Sequence, residues 1–88
     1  MQKEIYDYMK NHLEFLMRQM EAYLPFIRNA FPGTSIPDAC FNILVGNAFY
    51  VFLGQYAMRM STPTEQDLEE FGSLAGQYKN KIDKLFAK

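Results

Sequence analysis

The chain has 88 residues, 49% hydrophobic and 16% aromatic, which excludes a disordered tail and implies one domain with a thin core. Nine basic against ten acidic residues leave a formal charge of −1, so no basic face is on offer to nucleic acid. The lone cysteine, Cys40, excludes an intramolecular disulfide and fits a reducing compartment.

The first predicted helix covers residues 2–31. Apolar side chains recur at steps of three and four through Tyr6, Met9, Leu13, Leu16, Met20, Tyr23, Ile27 and Ala30. Glu4, Asp7, Asn11, Glu14, Arg18, Glu21 and Arg28 take the opposite side. Its opening residues are charged and mixed, with no short apolar stretch, so no secretory signal is expected and the cytoplasm is the default location. Pro25 lacks the N–H that would bond to Glu21, and because the apolar rhythm continues beyond it, a kink is expected there. Phe31-Pro32-Gly33-Thr34 ends the element.

The second helix is predicted over residues 36–60, with Ser35 as its cap, Pro37 in the first turn and Asp38 at the positive end. It contains twenty residues, Ala39 to Met58, without a charge. At about 100° per residue, Cys40, Phe41, Leu44, Val45, Ala48, Phe49, Val51 and Phe52 form a bulky arc that two neighbouring helices can cover. The other half holds Asn42, Ile43, Gly46, Asn47, Tyr50, Leu53, Gly54 and Ala57. It is small, mildly polar and devoid of the Lys and Glu expected on a face turned to water.

The third helix is predicted over residues 63–87. Thr62 serves as the cap, Pro63 as the first helical residue and Glu65 as the return arm of a capping box. Leu68, Phe71, Ala75, Tyr78, Ile82 and Leu85 make its seam. Gly72 and Gly76, four apart, suggest a close helix crossing.

These elements predict an all-α fold over residues 1–88: a three-helix antiparallel, up-down-up bundle with a long kinked first helix and an apolar central one. Twenty uncharged residues also reach the length of a membrane span. Asn42, Asn47 and Gln55 are costly in lipid and no Lys/Arg cluster flanks the run, so a buried helix is expected and a membrane partner is not.

Chemical reagents are sparse. His12 is the single histidine and has Tyr8 and Leu16 one turn away, so no metal site is expected. Cys40 falls on the bulky arc and reads as an inert thiol, and Ser35, Ser61 and Ser73 have no base assigned to them. Glu65, Asp67, Glu69 and Glu70 read as a solvated helix start, and Met58 and Met60 as partly exposed packers. No enzyme and no cofactor are therefore expected. The expected role is a non-catalytic interaction module: a regulator, adaptor, inhibitor or assembly subunit, paired with itself or bound to a larger protein. Its interface would comprise Asn42, Gly46, Asn47, Tyr50, Leu53, Gly54 and Ala57, with Tyr8 and Phe15 as an outer patch. The competing expectation is a carrier holding a small hydrophobic ligand between the helices.

Overall fold

A computed structural model describes residues 1–87, which contain helices and no strand. The elements are α1 (Lys3–Gln19), a 3₁₀ turn (Met20–Tyr23), α2 (Leu24–Ala30), α3 (Ile36–Met58), α4 (Glu65–Gly76) and α5 (Tyr78–Leu85). The first and last predicted helices are thus each divided in two.

The division of the first helix is centred on Pro25, which occupies the opening turn of α2. Without its N–H the α ladder fails just upstream, and the chain tightens into the 3₁₀ turn that carries Met20 into the core. The apolar rhythm survives the kink, because Ile27 is fully buried beyond it. The seam differs from the prediction at its ends. Ile5 is buried in place of Tyr6, while Tyr23 is 39% exposed and Ala30 is exposed outright.

α3 begins as expected, with the Ser35 hydroxyl accepting from the Asp38 N–H at 3.3 Å. It ends at a left-handed residue, Met60 (φ 55°). The Met60 N–H reaches the Ala57 carbonyl and the Ser61 N–H reaches that of Tyr56, each at 3.0 Å, which closes the helix in a Schellman turn.

The start of α4 corrects the sequence reading by two residues. Thr64, not Thr62, is the cap: its hydroxyl accepts from the Asp67 N–H at 3.1 Å, and the Asp67 carboxylate accepts from the Thr64 N–H at 2.9 Å. The helix pauses at Gln77, whose N–H turns to the Leu74 carbonyl at 3.3 Å, and resumes as α5. Register is kept across the pause, since Phe71, Leu74, Ala75, Tyr78 and Ile82 are all buried. Leu68, placed on the seam by the sequence, is 42% exposed.

Three helical layers pack together: α1 lies against α3 and α4, and α3 also meets α2 and α5. The core joins Met9, Leu13 and Met20 of the first layer to Leu44, Ala48 and Phe52 of α3 and to Phe71 and Ile82. Phe52 is its aromatic centre, stacked on Phe71 at 4.5 Å and edge-on to Tyr56 at 5.1 Å. Polar ties fasten the layers at their rims. The Met1 amino group sits 2.9 Å from Asp67 and 3.0 Å from Glu70. Glu14 accepts from the Tyr78 hydroxyl at 2.8 Å and from Lys81 at 3.0 Å, and Lys79 meets Asp38 at 3.0 Å.

Candidate interaction face

The twenty-residue uncharged run lies within α3, and the chain covers only one side of it. Ala39, Cys40, Leu44, Ala48, Phe52, Gln55 and Tyr56 are buried. Burial pushes the Cys40 thiol pKa upward, which leaves it a packing residue rather than a nucleophile. Gln55 is a polar side chain in this buried set that the sequence did not mark. Arg59 satisfies it by donating to its side-chain oxygen at 3.3 Å and to its carbonyl at 2.8 Å.

The opposite side is open. Asn42, Gly46, Asn47 and Ala57 are exposed, Tyr50 is 77% exposed and Leu53 38%, and Gly54 is half-buried. A Cβ placed on Gly46 or Gly54 would meet nothing within 4 Å, so no other element of the chain uses these glycines for a close approach. The same holds for Gly72 and Gly76, which overturns their reading as a helix crossing within the chain. Both are exposed and sit away from the buried line of α4 and α5.

Phe49 was assigned to the covered arc and is instead 40% exposed. It lies at the boundary of the arc, where one side of its ring meets Phe71 at 6.0 Å and Phe52 at 6.3 Å and the rest is open. Its wheel position beside Asn42 and Leu53 was the available signal.

Tyr8 and Phe15 of α1 are 49% and 48% exposed, as expected from their place off the seam. A contact absent from sequence reasoning attaches them to α3. The His12 Nε2 lies 2.9 Å from the Asn47 Oδ1, and the imidazole stacks against Tyr8 with centroids 6.5 Å apart. Tyr8 and Phe15 stand one turn either side of His12; Ile43 and Tyr50 stand one turn either side of Asn47. The bond therefore joins two flanks into one surface. At one end, Arg59 approaches Glu4 at 4.0 Å.

Strongly perturbed titratable groups lie elsewhere. Hydrogen bonds from Thr64 and the Met1 amine hold the Asp67 carboxyl down to about 2. Burial, then the nearby Asp67 charge, pushes the Tyr56 hydroxyl up to about 12. Burial and the bond to Glu14 raise Tyr78 as well. Among the described residues no cluster of three His, Cys, Asp or Glu side chains could hold a metal ion. A cavity of about 430 Å³ is lined by Tyr6, Glu70, Leu74 and neighbouring polar residues, and one of about 320 Å³ by Ile5, Tyr56, Arg59 and Asp67. Neither touches the open side of α3. By length and composition α3 could cross a membrane, with 28% of its most apolar window buried by the rest of the chain.

No protein-family model matches the chain, and no curated protein or solved structure is significantly similar to it.

Proposed function

We propose that this protein is a non-catalytic helical interaction module that works as a homodimer or bound to a larger protein, as a small regulator, adaptor, inhibitor or assembly subunit. One observation carries the reading: Tyr50, 77% exposed, stands in the middle of a helix side that has neither charge nor cover. Surfaces left to water on α1 and α4 carry Lys, Arg, Asp or Glu. An uncharged side without them, depleted of charge as the core of an interface is, suits an association surface.

We read the three layers as up-down-up, because Glu4 pairs with Arg59 and His12 with Asn47, so α1 and α3 run oppositely, while Met1 meets Asp67 and Glu14 meets Lys81, so the third layer ascends with α1. Association through α3 would extend this arrangement into a larger helical bundle. A protein partner is favoured over a bilayer for two reasons. Asn42 and Asn47, both on the open side, would be costly in hydrocarbon, and the bulky side of α3 already packs on α1 and α5. The lone, buried Cys40 supports a cytoplasmic setting.

Native mass spectrometry of the protein purified without detergent tests the reading. A mass of two chains, or of one chain with a second protein, supports it. One chain carrying a small hydrophobic ligand supports the carrier instead. A bare single chain at every concentration up to about 100 µM, near the weak end of specific affinities, overturns both.

A further inference from the structure

We infer that the partner is a second copy of this chain, and that each copy contributes a face two helices wide, α1 beside α3, latched by His12 and Asn47. The inference rests on the interaction reading above and names its partner.

The chemistry of the polar groups on this face points to a copy. A two-fold contact is isologous, so whatever a surface presents must be compatible with the same surface turned over. Carboxylates only accept hydrogen bonds and ammonium groups only donate them, and each repels its own kind. Amides and phenols do both. The polar side chains on the open side of α3 are Asn42, Asn47 and Tyr50, and on the neighbouring flank of α1 Tyr8, Asn11 and Gln19, every one able to donate and accept. Of the charges at the border, Glu4 and Arg59 approach each other within the chain at 4.0 Å, and Arg18 stands one turn beyond Phe15.

Shape agrees with chemistry. Tyr50 projects from α3, and Gly46 and Gly54 lie one turn to either side with open space where a Cβ would stand. The backbone of one copy can thus receive the ring of the other. Residues 42–57 span about 22 Å of helix, and two helices side by side are about 20 Å wide, giving roughly 450 Å² in flat projection per copy. Over two copies that is roughly 900 Å², below the ~1,200 Å² at which standard specific interfaces begin, so the dimer is expected to be weak.

The test is light scattering after size exclusion at about 100 µM, a concentration suited to micromolar dimers. It uses wild type, Tyr50→Glu, Tyr50→Lys and an equal mixture of the two variants. Circular dichroism should show unchanged helicity, since Tyr50 packs little within its own chain. Wild type should run as a dimer, and each variant as a monomer with self-association at least about a hundredfold weaker, because like charges would be buried together. The mixture should return to a dimer. Phe15→Glu should weaken the dimer as well, and an unchanged Kd there would overturn the two-helix width. A monomeric wild type overturns self-pairing while leaving a different protein partner open to the mass measurement. A dimer indifferent to both Tyr50 charges removes the α3 face from the self-contact, and a mixture that stays monomeric overturns the two-fold contact.

Discussion

Two buried tyrosines show how the worth of a hydroxyl depends on its partner. Tyr78 is 1% exposed and donates to Glu14 at 2.8 Å, and Lys81 binds the same carboxylate oxygen. These two bonds hold the Glu14 carboxyl below its usual range, with the tyrosine the larger cause. Tyr56 is 6% exposed, and its buried hydroxyl has no partner in good hydrogen-bond geometry, although the Asp67 carboxylate stands near enough to help raise its pKa. Removing a hydroxyl should therefore have opposite consequences. Tyr78→Phe should cost about 1.5 kcal/mol, the range for a bond to a charged acceptor. Tyr56→Phe should be neutral or should gain up to about 1 kcal/mol, because an unsatisfied buried group is lost along with its desolvation cost. Urea unfolding of the two variants beside wild type decides this. Equal losses would mean that Tyr56 has a partner after all.

Each helix terminus here is a small chemical decision, and two have measurable consequences. Met60 takes the left-handed position at the end of α3, where a side chain meets its own backbone and glycine does not. At 95% exposure it recovers little by packing. Met60→Gly should stabilise the protein by about 1 kcal/mol, a rise in Tm of a few degrees (about 4–8 °C for a domain this size). Calorimetry showing a lower Tm would mean that the Met60 side chain does more than its exposure suggests. At the head of α4, the Asp67 carboxyl falls from its ordinary 3.8 to about 2. A carboxyl depressed in the folded state contributes stability above its unfolded pKa and loses it as pH falls through the folded one. Asp38 and Glu14 are lowered too, so they act in the same sense. The urea midpoint should hold steady from about pH 5 to 7 and fall between about pH 4 and 2, with a shallower fall in Asp67→Asn. An unchanged slope in that variant would detach Asp67 from acid unfolding. The α4 terminus also shows where sequence reading stops. Thr62-Pro63-Thr64-Glu65 and Thr64-Glu65-Gln66-Asp67 are overlapping capping signals. The second prevails where Asp67 also meets the Met1 amine, a contact from the far end of the chain that local spacing does not display. Ser35, by contrast, was legible because its bond to Asp38 is local.

For the molecule as a whole, the balance of covered and uncovered helix was readable in advance, and the latch between helices was not. Away from the boundary at Phe49, the sides of α3 follow from residue period, so Tyr50, Gly46 and Leu53 fall on the open side without coordinates. The pairing of His12 with Asn47 depends on how far α1 has slid along α3. That register is set by the summed packing of Met9, Leu13, Leu44 and Ala48 rather than by any motif. The absence of charge on the open side has a consequence for solution behaviour. Ion pairs between exposed groups weaken as salt rises, since screening acts over about 10 Å at 0.1 M and about 3 Å at 1 M. Association driven by apolar burial is not weakened that way, and excluded salts strengthen it. The self-association constant should change by less than about threefold between 50 mM and 500 mM sodium chloride. Sodium sulfate should raise it. Sedimentation equilibrium across both salt series provides the measurement. A tenfold loss with sodium chloride would mean that charges hold the copies together, and the contact would then have to be sought at the Lys79–Asp38 or Lys81–Glu14 rims instead of on α3.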